Sequence, residues 1–193
     1  LLAKDIPGHN NVGPVRHDEP ALADGEVLYH SQVIAVVVGT DKRLCRKAAK
    51  AIKVEYERLE PLLGITQAIA AESYHTDPHC IRRGDIEADL ASAPHRITET
   101  FEFGGQEHFY LETHAAWAEA SDDGGMHVAS STQHPSEIQT IVAEVLGYPR
   151  HLVVVEAPRM GGGFGGKETQ GNLWAALAAL ASLKTGRPVR VQL

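Results

Sequence analysis

From Met160 to Glu168 the chain reads Met-Gly-Gly-Gly-Phe-Gly-Gly-Lys-Glu, with five glycines in six positions around Phe164. Glycine accepts positive φ and lets backbone N–H groups approach a ligand closely, and a helix starting after such a loop adds a dipole that favours negative charge. The segment suits a phosphate, a pterin or an oxyanion. A ligand-free turn usually needs one or two glycines rather than five. Gly161, Gly166 and Lys167 also satisfy the nucleotide-loop spacing G-x-x-x-x-G-K. Glu168 argues against that reading: a hydroxyl for Mg²⁺ belongs at its position, Thr169 is one residue late, and a carboxylate adds negative charge beside phosphates. What remains is a loop that delivers an aromatic ring, Phe164, and a carboxyl, Glu168, to one pocket. That pair suits a flat nitrogen heterocycle, packed on the ring and hydrogen-bonded to the carboxyl.

The surrounding pattern supplies the elements that must hold this loop. Leu152 to Val155 is an apolar β-branched run expected to form a buried strand, and Thr169 to Lys184 is an apolar helical segment closed by Gly186 and Pro188, with a last strand over Val189 to Leu193. Upstream, Ile138, Ile141, Val142, Val145 and Leu146 recur at helical spacing between Ser136 and a capping Gly147. Strands are expected over Arg96–Phe103, Phe109–Ala120 and His127–Ser131. In this alternation Glu107 and Glu112 fall on the solvated face of a strand, and His108 reads as a packed histidine near the pocket. Leu173, Trp174, Leu177 and Leu180 read as core.

The first thirty residues are turn-rich. After them Val33 to Val38 predicts a buried strand, Thr40 an N-cap, Asp41 to Ala51 a helix, and Ile52 to Tyr56 a second strand, together a small α/β module. Gly64 to His95 lacks a sustained apolar period, apart from short helices expected over Thr66 to Ala71 and Glu87 to Ala91. The chain is thus expected to comprise a first domain over 1–63, a connecting segment over 64–95 and a second domain over 96–193, of mixed α/β (α+β) class.

The 193 residues carry a net charge of −7 with 43% hydrophobic and 22% charged residues, which gives no basic face for nucleic acid or anionic membrane. No apolar stretch is long enough for a membrane span. Cys45 and Cys80 alone make no disulfide framework, which fits a reducing cytoplasm. His75, His79 and Cys80 cluster, but Pro78 opposes the helix that would align the histidines, and no second ligand pair stands at zinc spacing. The chain starts without Met and stops inside an expected strand, so it reads as a fragment of a longer protein.

Several segments together resemble the molybdopterin-binding subunit or domain of xanthine dehydrogenases. They include Asp5-Ile6-Pro7-Gly8, Arg83-Gly84-Asp85, Gly104 to Thr113, Ser131-Thr132-Gln133, Arg159 to Thr169 and Lys184 to Val189, in the family's order. The resemblance implies an α/β hammerhead domain followed by the first part of a molybdopterin-binding α/β domain. It implies hydroxylation of hypoxanthine and xanthine to urate with oxygen from water, and electrons leaving through 2Fe-2S clusters and FAD to NAD in other domains or subunits of an oligomeric enzyme. By position, Gln106 corresponds to the glutamine that hydrogen-bonds an oxo ligand of molybdenum without being a ligand itself. Phe164 and Gly165 correspond to residues that contact the cofactor, and Glu168 to the glutamate that orients the purine. Aldehyde-oxidising relatives carry an aliphatic residue at that last position, so Glu168 favours a purine. The family's substrate arginine, paired phenylalanines and general-base glutamate lie beyond Leu193, and the fragment alone is expected to be inactive. One departure stands at Ser31, where relatives more often have Gly before the Gln. The remaining alternatives are an aldehyde-oxidising member and a non-catalytic glycine-loop binding module.

Overall fold

The computed structural model describes residues 1–193. In chain order the helices are α1 (Lys42–Ala51), α2 (Ile65–Ala70), α3 (Ile86–Ser92), α4 (Pro135–Leu146) and α5 (Gly171–Thr185). The strands are β1 (Ala115–Ala120), β2 (Met126–Ser130), β3 (Val153–Glu156) and β4 (Val189–Gln192). The chain divides into one unit made of Leu1–Lys53 with Gln106–Leu193 and a second made of Val54–Gly105.

In the first unit the four strands form one sheet in the order β3-β2-β1-β4. β1 is antiparallel to both β2 and β4, and β2 is parallel to β3, so β3 and β4 are the edges. Alternation sorts the faces: Ala116 and Ala118 of β1 and Met126 and Val128 of β2 are buried. On the opposite face Trp117 and His127 meet edge to face with ring centroids 5.6 Å apart. α5 covers the buried face and is itself buried on almost every side from Ala175 to Ser182, as its uniformly apolar sequence requires. Its alanines let the helix lie close to the sheet. Ser182 Oγ, the polar exception, accepts the Ala120 N–H at 3.0 Å.

α4 packs beside α5 and buries Ile138, Ile141, Val142, Val145 and Leu146, the residues expected from their spacing. Pro135 stands in its first turn and Gly147 closes it at φ 67°. At α1 the cap is Asp41 rather than Thr40: the Asp41 carboxylate accepts the Arg43 and Leu44 N–H groups at 2.8 and 3.0 Å. A carboxylate reaches two orphan donors and adds its charge to the helix dipole, which a threonine hydroxyl does not.

Several expected strands do not form. Val33 to Val38, Ile52 to Tyr56, Arg96 to Phe103 and Phe109 to His114 have no strand assignment, although the first exchanges N–H···O bonds with Leu1 through Val36. A strand needs a hydrogen-bonded neighbour, and β-propensity alone does not supply one. The run expected over Leu152 to Val155 forms β3 one residue later, and it is an edge strand with Val154 55% exposed, not a strand buried on both faces. In the second unit α2 and α3 form close to where they are expected, and Asp85 caps α3 through the Ala88 N–H at 3.1 Å.

Ser31 stands at φ 69°, in the left-handed region that favours glycine. Gln32 next to it is buried, and its Oε1 accepts the Leu28 N–H at 2.7 Å, so the turn cannot relax without losing that bond. Ser31→Gly is expected to raise stability by about 1 kcal/mol, because it removes the left-handed penalty of an L-residue. A urea midpoint unchanged or lowered by the substitution would count against this strain.

Candidate functional site

The glycine loop is built against the segment 108–112, whose even-numbered residues face it. Glu112 Oε2 accepts the Gly161 N–H at 2.6 Å, and Gly161 O accepts the Glu112 N–H at 3.3 Å. Tyr110 and His108 pack on the far end of the loop. A Cβ on Gly166 would lie 2.6 Å from Tyr110 Cε1 and 2.8 Å from His108 Cγ, so only glycine fits there. Gly165, at φ 90°, instead needs glycine for its backbone conformation.

Phe164 has φ 54° and is 76% exposed. A bulky residue in this region is a genuine outlier, and such strain concentrates at ligand sites. The N–H groups of Gly162, Gly163 and Phe164 make no hydrogen bond within the chain, whereas those of Gly161, Gly165, Gly166 and Lys167 are all used. The loop thus carries three consecutive unpaired backbone donors, on half-buried Gly162, buried Gly163 and exposed Phe164. α5 begins at Gly171, two residues after the expected Thr169, so these donors belong to the loop itself. Glu168 is exposed on the stretch between the loop and α5, and Gln106 is exposed two residues before His108. His108 links the two segments by its packing on Gly166.

Lys167 is fully buried. Its ammonium donates to Ser131 Oγ at 2.8 Å and to Glu112 Oε2 at 3.2 Å, and it lies 4.8 Å from the centroid of the Tyr110 ring. This excludes a nucleotide loop more firmly than Glu168 does, because a phosphate-binding lysine must reach out of its loop. Ser131 Oγ in turn donates to Glu112 Oε2 at 2.8 Å. The Gly161 N–H, ahead of the Ser131 hydroxyl and the Lys167 ammonium, holds the Glu112 carboxyl below the usual range against the opposing effect of partial burial. Tyr110 Oη and His114 Nε2 share a hydrogen bond of 2.8 Å. Burial, and then the Lys167 charge, push the His114 imidazole below its ordinary value, which favours the neutral ring.

Glu112 is therefore not on the solvated face of a strand. Phe109 at φ 52° breaks the extended alternation on which that expectation rested, and Glu112 turns to the loop. His108 is not a packed core histidine either: its ring remains partly exposed, with Nδ1 3.5 Å from Glu107 Oε1. Sequence reasoning passed over Glu112, Ser131, Gln133 and Lys167 as a set. The available signal was a G-x-x-x-x-G-K lysine with no hydroxyl after it, and so no nucleotide to bind. A separate groove of about 1020 Å³, lined by residues such as Val36, Cys45, Ala181 and Val189, includes none of the loop residues.

Residues 1–60 match the family model described as aldehyde oxidase and xanthine dehydrogenase, a/b hammerhead domain, and residues 70–193 match the one described as molybdopterin cofactor-binding domain. The fold and loop thus define a hammerhead followed by a molybdopterin cofactor-binding domain, in a mixed α/β architecture. The chain is 46% identical over 193 residues to a xanthine dehydrogenase of Drosophila pseudoobscura pseudoobscura, covering 98% of this chain and 14% of that protein. It is 43% identical over 189 residues to a nicotinate hydroxylase of Emericella nidulans, covering 95% of this chain and 14% of that protein. It superimposes on the aldehyde oxidoreductase of Desulfovibrio gigas with a TM-score of 0.87 at 26% identity, over 100% of this chain and 23% of that one. The chain belongs to the aldehyde oxidase and xanthine dehydrogenase family of molybdenum hydroxylases. It spans 14% of the length of the curated relatives named here.

The donor set fits the cofactor. Three unpaired backbone N–H groups beside an exposed Phe164 can bind the polar edge of a pterin or an oxo group while the ring packs on it. No group of three or more His, Cys, Asp or Glu side chains is arranged to hold a metal ion. No helix is long and apolar enough to cross a membrane.

Proposed function

We propose that this chain is part of a xanthine dehydrogenase-type enzyme that hydroxylates a purine, hypoxanthine or xanthine, and that Glu168 orients the substrate. The observation that carries this reading is the exposed Glu168 carboxyl four residues after the exposed Phe164 ring, on a loop whose Gly162, Gly163 and Phe164 N–H groups make no hydrogen bond within the chain. The identity to xanthine dehydrogenases over nearly the whole chain supports it. When bound, molybdenum-molybdopterin supplies the water-derived oxygen and takes up the electron pair.

The chain's own residues bind and orient. Gln106 brings a neutral amide whose NH₂ can donate to an oxo group without displacing it. Phe164 packs against the cofactor, and Gly165, which has no side chain, allows close approach. Glu168 accepts from, or shares a proton with, a ring nitrogen of the purine, and this interaction gains strength as negative charge develops on the ring. The general base comes from outside residues 1–193. Electron transfer to NAD through 2Fe-2S and FAD domains or subunits, an oligomeric parent and a cytoplasmic location are parts of the same proposal. Cys45 and Cys80 are both free thiols, which agrees with that location.

In the complete enzyme Glu168→Val is expected to lower kcat/KM on xanthine by about 100-fold or more, the usual cost of losing a hydrogen bond that strengthens in the transition state. Activity on a small aldehyde should change far less. The likeness to an aldehyde oxidoreductase supports the competing reading, in which the natural substrate is an aldehyde, and equal losses on both substrates would refute the purine-specific role of Glu168. A parent that lacks molybdenum and pterin after expression in a cofactor-competent host would mark a non-catalytic binding module instead.

A further inference from the structure

The loop is held by two side-chain acceptors. Glu112 Oε2 takes the Gly161 N–H at its start (2.6 Å) and the Lys167 ammonium at its end (3.2 Å), with Ser131 Oγ 2.8 Å from each of the two charged groups. Gln133 Oε1 takes the Gly165 N–H at 3.0 Å and the Lys167 N–H at 3.3 Å. The Gln133 N–H and the Thr132 hydroxyl close the circuit on Lys167 O at 2.8 and 3.3 Å. Every fixed donor lies at one end of the loop or the other. The three donors between Gly161 and Gly165 stay unpaired.

We infer that Glu112, Lys167 and Gln133 are positioning residues for the cofactor loop: they set its shape so that the N–H groups of Gly162, Gly163 and Phe164 are preorganised for the pterin, and Lys167 binds no anion. This rests on the cofactor-binding role proposed above. The lysine acts through burial. Its ammonium is engaged by Ser131, Glu112 and the Tyr110 ring, with none of its surface left for a ligand. Preorganisation of this kind lowers the ordering cost of binding, and supporting partners of a metal complex commonly contribute ten- to a hundred-fold in affinity.

The test uses the full-length parent from a cofactor-competent host and measures molybdenum and pterin per chain, the rate of pterin release, and the urea midpoint by tryptophan fluorescence. Gln133 is exposed, so Gln133→Ala should leave the midpoint near wild type while speeding pterin release about tenfold, a typical loss for a supporting hydrogen bond. Gln133→Glu keeps the acceptor oxygen and should restore slow release. The double variant Glu112→Leu/Lys167→Met replaces an ion pair by apolar groups of similar size, which commonly preserves stability. It should fold near wild type and still release pterin about tenfold faster. Pterin retained at the wild-type rate by Gln133→Ala and by the double variant would overturn the inference and leave the proposed function standing. A wild-type parent without pterin would overturn both.

Discussion

Gly8→Ala is expected to destabilise the first unit by about 3 kcal/mol, at the high end for overpacking of a closed contact. A Cβ at Gly8 would fall inside the van der Waals envelope of the Glu144 carbonyl oxygen and 2.6 Å from the Gly147 nitrogen. Both neighbours are backbone, so no side chain can swing aside. The segment cannot retreat either. Its Gly8 and His9 N–H groups donate to Val145 O and Glu144 O at 3.0 and 2.8 Å, satisfying carbonyls in the last turn of α4. Making room for a methyl group means giving up these bonds or unwinding that turn. The two tryptophans, Trp117 and Trp174, both lie in this unit and report on it directly. With a urea m-value in the ordinary range, the midpoint should fall by roughly 1 to 3 M. A shift under about 0.3 M would show that the contact relaxes at little cost.

The second large effect is an asymmetry between the partners of the buried pair. Lys167 has a fully buried side chain, whereas that of Glu112 is 39% exposed. Glu112→Leu alone leaves an ammonium without solvent, held by one hydroxyl and the face of a tyrosine ring. Breaking a buried pair in this direction costs about 3 to 5 kcal/mol. Lys167→Met alone leaves a carboxylate that keeps the Gly161 N–H, the Ser131 hydroxyl and access to water. Its cost should be nearer 1 to 2 kcal/mol, roughly that of one lost charge-assisted hydrogen bond. Urea unfolding of the two single variants measures the difference, and the double variant completes the cycle with a favourable coupling. Equal losses from the two single substitutions would show that Glu112 is desolvated as fully as its partner.

What the sequence determines by itself is whatever repeats or caps locally. α4 and α5 follow from apolar spacing and from Gly147 and Gly186 at their ends, because an α-helix satisfies its backbone within itself. The glycine loop, Phe164, Glu168 and the exclusion of a nucleotide site are equally legible, since they depend on residue type at adjacent positions. Family membership follows from the order of such segments, later matched across nearly the whole chain.

Only the tertiary structure decides which apolar runs become strands, because pairing is supplied by distant chain. β1 finds β4 some seventy residues away, while Val33 to Val38 and Arg96 to Phe103, no poorer in β-branched or aromatic residues, have no strand partner. It also decides that Lys167 is buried and that Glu112 belongs to the loop. Their contact spans 55 residues, and the positive φ of Phe109 that redirects the segment leaves no local signature in a phenylalanine. The glycines announce a binding loop. Its shape is set by one carboxylate, one amide and one buried ammonium, placed there by β2, the segment before β1 and the turn into α5.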